Sequence, residues 1–269
     1  MPLDISCPVV AWSHVQVAWS QFDAWRDELV ARRSSPTLSQ VCKLGDEQTV
    51  VTTEAIFRAI DAAGWQDRSF EEWGVISAPQ FLGRLRLAAA VDRYNTLEVR
   101  GTSPRIIPTL SQHAVAGSLS VVFQCRGPSF GVGGSQGALA DALVNAASLV
   151  ASGMCPGFWV TCSHWTPELL PYVPEEQNAS AVCHALALAI VPADQQDAAN
   201  APFELSLRFR PTLSDTESFP TIPALASFLA GTTSEASAWN QTLAPGLCAQ
   251  LHRRAASVAA VPTSVPRTA

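Results

Sequence analysis

Apolar positions along this chain recur first at helical and then at strand spacing, and the switches between the two periods outline the elements. Within residues 9–33, Trp12 comes first and then Trp19, Phe22, Trp25 and Leu29, whose spacings of three and four put them on one face of a helix beginning near Trp19. Residues 34–52 are polar and irregular and read as a loop or lid. Residues 53–64 (TEAIFRAIDAAG) predict a helix with Thr53 as N-cap, Ile56, Ile60 and Ala63 on one stripe, and Gly64 as its stop. A short apolar strand follows at 73–77, ended by Ala78-Pro79. Residues 82–100 start as a helix, 103–110 read as extended, and the small, apolar residues of 112–123 suit a helix buried against neighbours.

Gly127-Pro128 forces a turn, and residues 129–132 make a short strand that runs into the glycine-rich segment 133–137 (GGSQG). The alanine-rich helix of 138–152 is apolar nearly all round, is stopped by Gly153, and belongs at the centre of a fold. Residues 157–162 and 181–191 are continuous apolar strands of the kind found in parallel sheets covered on both faces. His184 shares a face with Leu186 and Leu188 and reads as a core or edge histidine rather than a catalytic one. Residues 203–210 alternate as a half-exposed strand, and beyond Pro211 come weak helices at 225–229 and 245–259 and a frayed tail at 262–269. The alternation of strands and helices gives an α/β class, with one domain over 1–210 and a partly disordered C-terminal extension over 211–269.

With 269 residues, 48% of them hydrophobic, the chain is long enough to bury a sizeable core. No apolar run approaches the roughly 20 residues of a membrane-spanning helix, and the N-terminus carries no export signal, so the expected location is cytoplasmic. A net charge of −6, with no basic cluster beyond Arg32-Arg33 and Arg253-Arg254, excludes nucleic acid as a partner and disfavours docking of an acidic carrier protein without a basic helper. Seven cysteines without a CxxC motif read as reduced thiols, and five histidines without an HxxxH or HExxH pattern predict no metal site. No cofactor is expected.

Any chemistry should sit at the glycine-rich turn, because a strand, a tight turn and a helix together present one side chain at the helix N-terminus. Two residues compete for that place. GGSQG fits the G-x-S-x-G nucleophile elbow, in which Ser135 would attack an ester with Asp215 and His252 following in hydrolase order, although no HGGG-type oxyanion segment precedes it. Alternatively, residues 127–136 (GPSFGVGGSQ) resemble, without a gap, the segment of β-ketoacyl synthases that leads from Gly-Pro-Ser to the active-site cysteine, and Gln136 falls on that cysteine.

The resemblance extends over about residues 53–190. Residues 61–64 (DAAG) are similar to the helix end before the family's Gly-Val strand, here Gly74-Val75-Ile76. Ile107-Pro108, His113 and residues 116–120 (AGSLS) look like the helix before Gly-Pro, while 149–153, Phe158-Trp159-Val160 and 181–190 match the later helix end and strands. The resemblance implies a thiolase-like half-fold with a mixed, mostly parallel sheet and buried helices.

It also implies a protein that cannot condense. The amide of Gln136 forms no acyl thioester, and the remaining residues contain no HGT-like or GH-like histidine segment. Within the family, glutamine at this place resembles a chain-length factor or a loading ketosynthase that decarboxylates malonyl groups, and the absent histidines favour the former. Truncated ketosynthase-like proteins of polyketide and aryl-polyene systems are similar in length and in their Trp-rich start. The implied partner is a full-length β-ketoacyl synthase, or a second copy of this chain, in polyketide or fatty-acid-type biosynthesis, with an acyl carrier protein reached through the complex. Family members dimerise through the strand before the nucleophile, here 129–132 with Phe130 and Val132, and the helix near His113, beside the turn glycines Gly133 and Gly134. Phe130 is a candidate for the wall of an acyl tunnel, core packing being its plainer role.

Overall fold

Alternating apolar residues from the start of the chain form β1 (Asp4–Ala18), and a single 3-10 turn then leads into α1 (Phe22–Arg33). The structure is a computed structural model that describes residues 4–101, 103–209, 219–232 and 238–254. The expected helix therefore begins at Phe22, and Trp12 lies on a strand that sequence periodicity left unassigned. The segment expected to be a loop or lid is instead α2 (Pro36–Leu44) and the first turns of α3 (Glu47–Ala63). Their starts are local: the Ser35 hydroxyl accepts from Leu38 N–H with Pro36 in the first turn, and Asp46 Oδ1 accepts from Gln48 N–H at 2.9 Å. Thr53 is thus mid-helix, its hydroxyl donating to Thr49 O, whereas Gly64 ends α3 with φ +69 as expected. Glu54, buried on α3, accepts from Arg58 and from Arg32 of α1, which ties the two helices together.

The chain continues through β2 (Gly74–Pro79), α4 (Arg84–Leu97), the short α5 (Ile106–Leu110) in place of the expected extended stretch, and α6 (Gln112–Val122). Next come β3 (Ser129–Gly131), α7 (Ala138–Ala151), β4 (Phe158–Thr166), the single-turn α8 (Glu175–Asn178), β5 (Val182–Ile190) and β6 (Phe203–Phe209). Beyond the expected boundary at 210 lie α9 (Ile222–Ala230), β7 (Ala238–Ala244) and β8 (Leu247–Arg253). The weak helix expected over 245–259 is, in its described part, the second arm of a hairpin. Pro245-Gly246 makes the turn, with Gly246 at φ +75. The tail at 262–269 lies outside the described residues.

All eight strands join one sheet in the order β3-β2-β4-β5-β1-β6-β8-β7. The α/β class holds, but the balance of the sheet differs from expectation. Only β2 pairs in parallel, with β3 and β4, and every other pairing is antiparallel. An apolar run such as 182–190 reports that both faces are covered, not which way the neighbouring strand runs, and here β5 runs against both of its neighbours.

Helices on both faces make three layers. On β5, Ala185, Ala187 and Ala189 face α3, and Leu186, Leu188 and Ile190 face the α7 layer. The small residues let α3 lie close to the strand, and the large ones fill the space under the alanine-rich α7. A bulge between Val9 and Ala11 swaps the faces of β1, so that Cys7 and Val9 point to the α7 side and Ala11, Val15 and Val17 to the α3 side. All seven cysteines are unpaired.

Candidate functional site

The glycine-rich turn is held from two sides. β3 lies against β2 with Ile76 opposite Phe130, and Val132 N–H donates to Ser77 O at 2.9 Å to carry the chain past the end of the strand. Gly133 and Gly134 then take φ values of +81 and +97, a region L-residues enter only with strain, and Gln112 of α6 donates its amide to Gly133 O at 2.8 Å. Ala138 N–H bonds Ser135 O at 3.0 Å as α7 begins, leaving Ser135 and Gln136 both exposed. Gln136 stands at the mouth of a cleft of about 490 Å³ that also takes in Gln80, Leu139, His164 and Phe219.

His164 is a buried imidazole that lines the same cleft. It is 9% exposed, and among the described residues no hydrogen bond reaches its ring and its close ring partner is His184, stacked at 5.3 Å between centroids. His184 stacks in turn on His14 at 5.4 Å, with His14 Nε2 and His184 Nδ1 3.2 Å apart. Neighbouring strands β4, β5 and β1 thus present one imidazole each in a column on the α7 side of the sheet. Burial, and then the adjacent histidines, push His164 down to about 4, and burial followed by His14 does the same to His184. Both rings are uncharged at neutral pH.

A histidine depressed in the folded state binds its proton in the unfolded chain first, so its contribution is complete above about pH 6.5 and is lost as pH falls toward 4. Asp46, in a second cavity of about 210 Å³ on the α3 side, is pushed up to about 8 by burial and by Glu47, and its contribution is lost instead as pH rises through that value. Urea unfolding from pH 7 to pH 4 is therefore expected to cost the wild type about 3 kcal/mol more than a His164→Phe variant, which keeps the Asp46 contribution. Parallel pH profiles for the two proteins would show that His164 carries no such linkage.

The other sequence-derived residues divide between the turn and its surroundings. Phe130, 37% exposed, lies on β3 at an edge of the sheet, and Val132 packs against the α7-side core. His113 is exposed on α6 and lines an apolar surface groove of about 480 Å³ together with Val41, Leu44 and Val121. The hydrolase alternative fails on geometry. His252 sits on β8, bonded to Gln250, and six strand positions separate β8 from β3, roughly 29 Å at the usual strand spacing. Asp215 lies outside the described residues.

His164 was missed because the strand read as 157–162 continues to Thr166. The signal was present: His164 extends the period-two series of Phe158, Val160 and Cys162 and pairs directly with His184.

No family model matches the sequence, and no curated protein matches it. Solved structures do share its fold. A ketosynthase (ApeO) in complex with its chain length factor (ApeC) from Xenorhabdus doucetiae superposes with a TM-score of 0.57 at 12% identity, over 93% of this chain and 100% of the other. A type II polyketide synthase acyl-carrier protein in complex with its ketosynthase gives 0.55 at 15% identity, over 78% and 70%. The ishigamide ketosynthase/chain length factor gives 0.53 at 15% identity, over 76% and 67%. The chain therefore has a thiolase-like, ketosynthase-like fold. Within that fold it carries glutamine at the turn where sequence resemblance places the ketosynthase cysteine, and among the described residues no helix is long and apolar enough to cross a membrane.

Proposed function

We propose that this protein is a non-condensing partner of an active β-ketoacyl synthase, in the manner of a chain-length factor. The observation that carries the reading is Gln136 at the turn between β3 and α7, where a condensing enzyme needs a thiolate: an amide can hydrogen-bond an acyl group but cannot accept it covalently. The free edge beside it supports a partner role. Among the described residues β3 has a neighbour on one side only, and exposed Phe130 and, on α6, Val121 add apolar surface on that side of the molecule. A ketosynthase with a matching edge would cover this surface, and an acyl carrier protein would reach the pair through the active subunit.

Co-expression with the ketosynthase encoded nearest to this gene, followed by native mass spectrometry of the purified material, tests the proposal. A one-to-one complex is expected, with the condensing activity confined to the ketosynthase. A chain that purifies only as monomer or homodimer beside a fully active ketosynthase would overturn the reading.

A further inference from the structure

The cavity on the α3 side of the sheet holds a carboxyl that, among the described residues, has no ion pair. Asp46 lines it and is 3% exposed. One of its oxygens accepts from Gln48 N–H to cap α3, and that N–H is all the donation the carboxyl receives among the described residues. Its carboxyl neighbour is Glu47, which repels a second charge. A buried carboxyl in this state costs free energy unless it keeps its proton or gains a counter-ion.

The other charged groups around the cavity are already matched. Glu47 holds Arg86 at 3.0 Å and Glu168 holds Arg84 at 2.6 Å, so neither guanidinium is free for Asp46. From β5 beneath, Cys183 brings a thiol that burial keeps protonated. The remaining walls are aromatic and apolar. Trp19 and Trp165 meet edge to face at 5.4 Å between centroids, with Leu85 and Leu169 beside them, while Arg84 takes the face of Phe81 at 4.9 Å. An anion would add charge where carboxylates already outnumber guanidiniums, and an uncharged apolar molecule would leave Asp46 as it is. A metal ion finds no group of three ligating side chains among the described residues. An organic ammonium ion supplies both N–H donors and the missing positive charge, and indole rings are favourable walls for it.

We infer that this cavity binds a small primary ammonium compound, with Asp46 as its counter-ion and Trp19 and Trp165 packed around the carbon that bears the nitrogen. The inference goes beyond the partner role, since neither the β3 edge nor Gln136 lines the cavity. Asp46 by itself holds its proton up to about pH 8, through burial and then through Glu47. An ammonium ion takes the place of that proton, so binding at pH 7 should release about one proton and should tighten as pH rises toward 8.

The test is a calorimetric titration of the purified protein with n-butylammonium chloride at pH 7, in two buffers of different ionisation enthalpy. The uncharged analogue n-butanol is titrated in parallel, and the indole N–H signals of Trp19 and Trp165 are followed by NMR. Saturable one-to-one binding is expected with a Kd of about 1 mM or tighter, the range open to so few atoms. Release of about one proton, a shift of both indole signals and at least about tenfold weaker binding of butanol should accompany it. Asp46→Asn keeps an N-cap for α3 and should weaken amine binding at least about tenfold while abolishing the proton release. No saturation by about 10 mM amine, heats that do not depend on the buffer, equal affinity for butanol, or unchanged binding in a folded Asp46→Asn protein would each overturn the inference.

Discussion

Replacing Phe130 by aspartate is expected to remove the complex with a ketosynthase while leaving this chain folded. Phe130 is 37% exposed on a three-residue strand at the sheet edge, so the free protein can solvate a carboxylate there at little cost. In an assembly built on β3, the same carboxylate would be buried against a partner strand without a counter-ion. An unpaired buried charge costs several kcal/mol, and even about 3 kcal/mol weakens association more than a hundredfold. Native mass spectrometry and size-exclusion chromatography of the co-expressed pair read the result. Asn240→Asp is the matched control, because Asn240 is exposed on β7 at the opposite edge of the sheet. Loss of the complex in both variants, or in neither, would remove β3 from the interface.

Gly131→Ala should be the most damaging small substitution near the turn, at about 3 kcal/mol of stability. A Cβ at Gly131 would stand 2.3 Å from Gln112 O and 2.6 Å from His113 N, and these backbone atoms open α6 and cannot swing aside. The requirement there is for space, since Gly131 is not among the glycines with positive φ. Gly64→Ala isolates the other effect. Its φ is +69 with nothing within 4 Å of the added atom, so only the conformational penalty remains, about 1 kcal/mol. Urea unfolding of the two variants tests the contrast, and equal losses would show that β3 and α6 can separate without cost. Because Gln112 also holds Gly133 O, displacement of α6 should loosen the Gln136 turn as well.

Much of the chain's local structure could be read directly. The helices over 112–122 and 138–151, the strands at 74–79, 129–131 and 182–190, and the stop at Gly64 all follow from side-chain period and capping chemistry within a few residues of each other. Gln136 at the head of α7 was legible for the same reason, since strand, glycines and helix are adjacent in the chain. The misreadings share a cause. Ser35-Pro36 and Asp46 signal helix starts, and Pro245-Gly246 signals a hairpin, but their segments are too polar or too mixed in period for pattern alone to show the element.

Sequence by itself determined the α/β class, the buried helix and strands at the centre, and the glycine-rich turn that sets Gln136 ahead of α7, because those depend on residues close together in the chain. Only the tertiary structure decided that β5 runs antiparallel to β4 and β1, that β6, β8 and β7 extend the same sheet, and that His252 is far from Ser135. It alone stacked His14, His184 and His164, which come from three strands far apart in sequence. Strand order and direction are set by how whole layers of side chains fill the space between sheet and helices, and that sum over distant residues leaves no mark in any one segment.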